Sequence, residues 1–409
     1  MTDGESISIL TINSGSSSIK LSLYRMGRHE MRMLSGSAGG IGLASGLFLI
    51  KDADGKAVIE RSLGLRDHRE ALHEIISWLR SNAVDRDLDA VGHRLVHGGS
   101  AYAEPRLISA GMLTSLDEMI PFAPDHLPHE IDALKEFGRS YPGLQQVACF
   151  DTAFHRTMPE VAQRYALPRD VRRHGVLRYG FHGLSYEYIL SELRKSEGPG
   201  TADGRVIIAH LGNGASMAAI LRGKSMDTTM GFTPAGGLVM STRSGDLDPG
   251  VIVYLLKDKG MDAAAINRMV NSSAGLLGVS GISSDMKVLL DLEPGNQHAA
   301  MAVELFCYQA RKFLGALCVV LGGLDTLIFT GGIGENAPSI RERICQETEF
   351  LGIHIDKDLN RENASVISRN GSPVVVRVMK TNEELMIARH TYDLIKNTTD
   401  ATVLRKKKT

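Results

Sequence analysis

The chain has 409 residues, with 46 Lys and Arg against 47 Asp and Glu, and the resulting net charge of −1 argues against a protein that coats nucleic acid. Hydrophobic residues are 43% and charged residues 23%, values of a globular chain long enough for two or three domains. The four cysteines, Cys149, Cys307, Cys318 and Cys345, form no CxxC pair, so neither a disulfide framework nor a zinc knuckle is expected.

The start of the chain, residues 1–8, is polar and acidic and lacks a basic segment followed by an apolar one. The longest apolar stretch, 313–324, is far shorter than the ~20 residues that a membrane span needs. A soluble, cytoplasmic protein without membrane or nucleic-acid partners is expected. The basic end, 405–408, reads as a solvated tail.

The first element is a strand, a tight polar turn and a second strand. Ile7, Ile9 and Thr11 alternate with Ser8, Leu10 and Ile12, and Ile19, Leu21 and Leu23 alternate with Lys20, Ser22 and Tyr24. The turn between them, Asn13-Ser14-Gly15-Ser16-Ser17-Ser18, is dense in backbone and hydroxyl donors. Helical spacing follows at 69–80. Residues 92–99 then hold Arg94 between glycines, where a carboxylate or phosphate could approach the guanidinium; a surface turn is the plainer alternative. The apolar run 147–150 ends on Asp151, which suits either a site at a strand end or a helix N-cap. His182 lies between Gly180 and Gly183, unlike a packed core histidine.

Residues 197–204, rich in Gly, Pro and Asp, read as a surface loop. A second strand–turn–strand unit occupies 206–221, with His210, Leu211, Gly212, Asn213, Gly214, Ala215 and Ser216 as its turn. Its distance from the first unit is too long for a solenoid period and points to one domain plan used twice. Arg243 sits in a further Ser- and Gly-bearing segment, 240–246. An apolar helix at 299–321 suits a core or subunit interface. A third unit pairs a short strand, 326–329, with a glycine loop, Thr330-Gly331-Gly332-Ile333-Gly334-Glu335-Asn336, and a helix opening near Pro338. A last helix covers 383–395. Strands alternating with helices define an α/β class.

Three glycine turns, each leaving a strand, point to a ligand with several phosphates, because converging backbone N–H groups bind anions. A Walker loop is absent: Gly223-Lys224-Ser225 lacks the upstream glycine and reads as a hairpin turn. Gly332 to Ala337 fits G-x-G-x-x-A, with Asp356 downstream, but lies late in the chain without a complete βαβ repeat. No G-x-S-x-G elbow and no protein-kinase set occur. His93/His97 and His126/His129 have metal-compatible spacing but no evident third ligand.

Eight ordered segments over nearly the whole chain resemble the acetate kinases, within the acetate and sugar kinase/heat-shock 70/actin superfamily. They are NSGSSSIK from Asn13, GHRLVHGG from Gly92, FDTAFHRTMP from Phe150, RYGFHGLS from Arg178, HLGNGAS from His210, DTTMGFTPAGGLVMSTRSGDLDP from Asp227, FTGGIGEN from Phe329 and TNEELMIAR from Thr381.

The resemblance implies a two-domain, duplicated actin-like (ribonuclease H-like) α/β fold with an interdomain cleft that closes on ATP. The N-terminal domain would be 1–150 plus about 385–409, and the C-terminal domain 151–384. It implies a phosphotransferase with a carboxyl acceptor: reversible, direct in-line transfer from ATP to acetate, giving acetyl phosphate and ADP, with Mg²⁺ or Mn²⁺. Propionate or another short-chain acid is the alternative acceptor, and a non-catalytic actin-like ATP-binding protein is a third reading, against which Arg94 and His182 argue.

By motif, Asn13 and Glu383, or its neighbour Glu384, would hold the metal. Lys20, Ser16 and Ser18 would face the phosphates, and Arg94 would bind the substrate carboxylate. Asp151 would orient the acetate, while His182 and Arg243 would stabilise the transition state. His210, Leu211, Gly212, Asn213, Gly214, Asp285, Met286, Lys287, Gly331, Gly332, Ile333, Gly334 and Glu335 would hold the nucleotide. A homodimer through the second domain is implied too. Two departures bear on specificity. Asp285-Met286-Lys287 stands where the family often has Asp-Phe-Arg, losing a planar stacking group. Asp125 replaces leucine in the substrate region, where it would repel a carboxylate unless it points away.

Overall fold

In the computed structural model, residues 6–15 and 17–406 are described, the side chains of 399–406 aside. Ser16, one of the expected phosphate ligands, and Lys407 and Lys408 of the basic tail lie outside the described residues. The chain forms two compact units. One runs up to Ala153 and resumes at Asn382; the other is Phe154–Thr381.

The first unit holds an eight-stranded sheet of β1 (Ile7–Ser14), β2 (Ser18–Met26), β3 (Met31–Gly39), β4 (Gly46–Asp52), β5 (Ala57–Leu63), β6 (Ala90–Leu95), β7 (Arg106–Leu107) and β8 (Gln145–Phe150). Their order is β5-β4-β3-β2-β1-β6-β8-β7. The alternation in the first segment closes as an antiparallel β1–β2 pair with Asn13 opposite Lys20. β1, β6 and β8 run parallel. Helices His68–Ser81 and Leu127–Ser140 cover one face, where Leu10, Ile12, Val91, Leu72, Ile75, Leu79 and Phe137 form the core. Since side chains alternate along a strand, Gly92 turns to the other face. There a Cβ would stand 2.3 Å from Thr391 Oγ1 and 2.6 Å from Ile387 Cγ2 of the helix Glu383–Lys406. Only glycine lets that helix lie so close to β6.

The second unit holds a five-stranded sheet of β9 (Arg205–Leu211), β10 (Ala215–Leu221), β11 (Lys224–Thr228), β12 (Thr326–Thr330) and β13 (Val375–Val378), ordered β11-β10-β9-β12-β13. β9–β10–β11 are antiparallel neighbours, and β9, β12 and β13 are parallel. The β3-β2-β1-β6-β8 core of the first sheet has the same order and sense, so one plan is used twice. The core here gathers Tyr186, Ile189, Leu193, Val206, Ile208, Ala218, Ile220 and Ile328. The Gly223 segment is a two-residue hairpin, with Arg222 and Gly223 both at positive φ as the turn between twisted strands requires.

Three local expectations are corrected. The turn of the second hairpin is shorter than its glycine-rich stretch: His210 and Leu211 belong to β9, and only residues 212–214 connect. The glycine loop after β12 is instead a helical turn, Gly331–Asn336, followed by the helix Pro338–Ile344. Residues 197–204 contain a helical turn, Pro199–Ala202, whose Ala202 joins the core.

Candidate active site

In open α/β sheets, ligand sites form beyond the carboxyl ends of the parallel strands. In the first unit these are the ends of β1, β6 and β8. Register explains which side chains meet there. Arg94 on β6 pairs with Cys149 on β8, and Asp151, two residues on, projects to the same face. On the other flank Ile12 pairs with His93, so Asn13 stands beside Arg94.

The result is a buried polar knot. Arg94 Nε lies 3.2 and 3.1 Å from the two carboxylate oxygens of Asp151, and Nη2 lies 2.5 Å from Oδ2. Nη1 donates to Asn13 Oδ1 at 3.2 Å. Asp151 is fully buried, and the Arg94 side chain is 13% exposed. Burial works against the charge of Arg94, but Asp151 and Glu383, whose Oε2 is 3.9 Å from Nε, hold it firmly charged. A guanidinium has five N–H donors. The protein's acceptors leave one on each η nitrogen of Arg94 for a ligand.

Asn13 Nδ2 in turn donates to Glu383 Oε2 at 3.3 Å and Glu384 Oε1 at 3.4 Å. Both glutamates open the helix that packs over Gly92. Lys20 is exposed and Ser18 half-buried at the mouth of the β1–β2 turn. That turn is tied by Gly15 N–H to Ser18 O at 2.8 Å and by His68 Nε2 to Gly15 O at 2.7 Å. His68 stacks on His129 at 3.8 Å, and His97 Nδ1 accepts the N–H of Gly99 at 2.9 Å. Asp125 is exposed. Among the described residues, no group of three or more His, Cys, Asp or Glu side chains gathers as a metal cage.

The second unit builds its polar cluster around the 212–214 turn. His182 starts the helix Gly183–Glu197 in the left-handed conformation, φ 60°. Its Nδ1 meets Ser216 Oγ at 2.8 Å, and its ring stacks on His210 at 4.3 Å. Tyr186 OH also bonds Ser216 Oγ, while Ser185 Oγ meets His210 Nδ1 at 2.9 Å and Thr381 Oγ1 at 2.8 Å. A Cβ on Gly214 would lie 3.1 Å from His182 Nε2 and 3.4 Å from Arg243 Nη1, so both side chains flank this turn. Arg243 is carried by a loop that Ser241 fastens to Asn213 through N–H···O at 3.2 Å and Oγ–H···Oδ1 at 3.3 Å. The same loop meets the π-helical turn Met269–Ser273, where Thr242 Oγ1 donates to Asn271 O at 2.9 Å.

The helical turn Gly331–Asn336 leaves β12 beside this hairpin. Glu335 Oε1 accepts the N–H of Gly331 at 3.0 Å and of Thr381 at 3.1 Å. Asp285 caps the helix Met286–Leu292 through Lys287 N–H at 2.7 Å, and Met286 is buried.

Sequence reasoning passed over four residues that hold these groups in place. His155, fully buried, bridges Ser225 Oγ at 2.8 Å and Phe181 O at 3.0 Å, and burial pushes its pKa down to about 4. A Cβ on Gly180, at φ +74°, would come within 2.6 Å of this imidazole. Arg341, also fully buried, donates to Gly334 O at 2.8 Å, Glu335 O at 3.2 Å, Asn360 Oδ1 at 2.8 Å, Asn360 O at 2.8 Å and Asn363 Oδ1 at 2.7 Å. Desolvation lowers its pKa to about 10. Ser216 and Glu130 complete the set. Their signals in the sequence were weak, being single polar letters inside apolar runs or amphipathic helices.

A duplicated β-sheet plan, with half-buried Arg94, His182 and Arg243 beside turns that leave its strands, marks a two-unit α/β protein of the phosphotransferase kind. The model of the Acetokinase family matches residues 8–389, and the chain belongs to that family. It is 45% identical over 391 residues to an acetate kinase of Rhodopseudomonas palustris (strain TIE-1), covering 94% of this chain and 98% of the relative. The crystal structure of Porphyromonas gingivalis acetate kinase superposes with TM-score 0.85 at 39% identity, covering 95% of this chain and all of that one. A propionate kinase from Francisella tularensis superposes with TM-score 0.87 at 36% identity, covering 94% and 98%.

Proposed function

We propose that the protein transfers the γ-phosphoryl group of ATP reversibly to acetate, giving acetyl phosphate and ADP. An acetate oxygen bonds to phosphorus as the bond from phosphorus to the ADP oxygen breaks. The observation that carries this reading is Arg94: a largely buried guanidinium braced by Asp151 and Asn13, with one N–H on each η nitrogen still to be used. Acetate is ionised near neutral pH and needs no base. Asp151 therefore acts through Arg94, fixing its plane, rather than by abstracting a proton.

His182 and Arg243 would meet charge developing on the transferred group, held by Ser216 and by the Asn213–Ser241 ties. The turns after β9 and β12, with Asp285, Met286 and Lys287, would hold the nucleotide, and Lys20 and Ser18 would face its phosphates. Mg²⁺ would be held by Glu383 and Glu384, whose carboxylate oxygens meet at Asn13 Nδ2 and suit a cation that keeps most of its water and phosphate ligands, and by Asn13 through the amide oxygen that here accepts from Arg94. When bound, it would neutralise phosphate charge.

A homodimer is part of this reading. The helix Pro249–Asp258 has no buried residue and exposes Val251, Val253, Tyr254 and Leu256, and the helix Gln297–Leu321 exposes Met301, Tyr308 and Val319. A cytoplasmic location is supported by four buried cysteines that form no disulfide. Among the described residues no helix is long and apolar enough to cross a membrane.

Incubation with Mg-ATP and acetate, followed by hydroxylamine, should yield acetohydroxamate. No hydroxamate from any short-chain acid would refute the proposal. The likeness to a propionate kinase makes propionate the second acceptor to compare. Specificity constants over a series of acids decide between them.

A further inference from the structure

Behind Arg94 lies a carboxyl group that the reaction as described does not use. Glu130 sits in the first turn of the helix Leu127–Ser140 and is 1% exposed. Its Oε2 accepts the N–H of Val96, just past the end of β6, at 2.9 Å. Its Oε1 is buried with no hydrogen-bond partner. An ionised carboxylate in that setting would keep a bare oxygen out of water, which is costly; a neutral acid is not so penalised.

Burial lifts its pKa to about 8, against the pull of Arg94 and of the Val96 N–H, which favour ionisation, and with the help of Asp151, which opposes it. Of the other titratable groups on the packed elements, His97, next to Val96, is buried and takes the N–H of Gly99 on Nδ1. His129, on the same helix, stacks on His68 of the helix His68–Ser81, and Lys135 pairs with Asp117 of the helix Ala110–Glu118. His93 on β6 is kept neutral by burial.

We infer that Glu130 is a positioning residue for the acceptor: as a neutral acid it anchors the end of β6 and leaves the charge of Arg94 to the substrate carboxylate, and on ionising it draws on that charge and weakens acceptor binding. The inference rests on the reading of Arg94 as the acceptor's ligand. Arg94 already faces Asp151 and Glu383. With two carboxylates already on one guanidinium, ionised Glu130 would add a further negative charge just where an anion must enter.

The test follows KM for acetate and for ATP, with kcat, from about pH 7 to about pH 9.5, by ADP release in the full-length enzyme. Wild type should lose affinity for acetate on the alkaline side, by up to roughly tenfold per pH unit, with KM for ATP unmoved. Glu130→Gln keeps the acceptor for Val96 N–H but cannot ionise, and should abolish the rise. A rise that persists in Glu130→Gln, or no rise in wild type, overturns the inference. A measurement free of any variant accompanies it: acetate binding in the presence of Mg-ADP near pH 8.5 should take up protons, read by calorimetry in buffers of different ionisation enthalpy. No uptake is likewise fatal. Acetohydroxamate formed without either effect leaves the kinase reading intact and removes only Glu130; no hydroxamate at all removes both.

Discussion

Replacing Asp151 by asparagine isolates what this buried carboxylate does for Arg94. In the native site two nitrogens of Arg94 converge on Oδ2, at 3.1 and 2.5 Å, and Nε also reaches Oδ1 at 3.2 Å. Asparagine can accept on one side only and turns an N–H₂ group toward the guanidinium on the other. The shape of the site is nearly unchanged, and the cation keeps Glu383 at 3.9 Å and Asn13 at 3.2 Å. What is lost is a charge-assisted pair of hydrogen bonds, of about 1.5–3 kcal/mol. If Arg94 positions the acceptor, kcat/KM for acetate should fall by roughly 10- to 150-fold, since about 1.4 kcal/mol is tenfold. KM for ATP should change little, because the groups proposed to hold the nucleotide gather mainly in the Phe154–Thr381 unit. Hydroxamate trapping gives the product and ADP release gives the rates, with circular dichroism to establish that the variant is folded. A folded Asp151→Asn enzyme within twofold of wild type in kcat/KM would refute the reasoning, because the fork would then need no anionic brace.

Arg243→Ala and His182→Ala should each lower kcat by an order of 10²-fold or more with a smaller change in KM, as expected for groups that meet charge developed in the transition state; a purely KM effect would speak against that role. Arg341→Ala leaves buried acceptors at Gly334, Glu335, Asn360 and Asn363 and should destabilise the fold by about 3 kcal/mol or more in urea titration. Acid should weaken the protein through His93 and His155, whose buried rings have pKa values pushed down to about 3 and about 4. The unfolded chain binds their protons first, so stability is complete above about pH 6.5 and declines as pH falls toward those values. Each contributes about 2 kcal/mol of loss at about pH 5, and His93→Gln should narrow the difference in unfolding free energy between pH 7 and 5 by that amount.

The strand–turn–strand units were legible in the chain because strand alternation and turn chemistry are local. A period-two pattern around Asn13–Ser18 and a hairpin at Arg222–Gly223 need no distant partner. The α/β class and the repetition of its plan follow from the same local signals. Family motifs then named Arg94, Asp151, His182 and Arg243. Other features depend on distant contacts. Glycine is a poor helix former, and residues 331–336 read as a loop; the structure makes them helical because Glu335 takes the N–H of Gly331 and Arg341 the carbonyls of Gly334 and Glu335. Glu130 looked like one more polar residue on an amphipathic helix, and only the packing of that helix against β6 buries it. By itself the sequence determined the elements, their repeated order and the residue types able to handle phosphate and carboxylate. Tertiary structure alone decided which of them meet: the register of β1, β6 and β8 brings Asn13, Arg94 and Asp151 together, and burial sets the charge each one carries. Register and burial are properties of contacts between segments distant in the chain, and no local pattern encodes them.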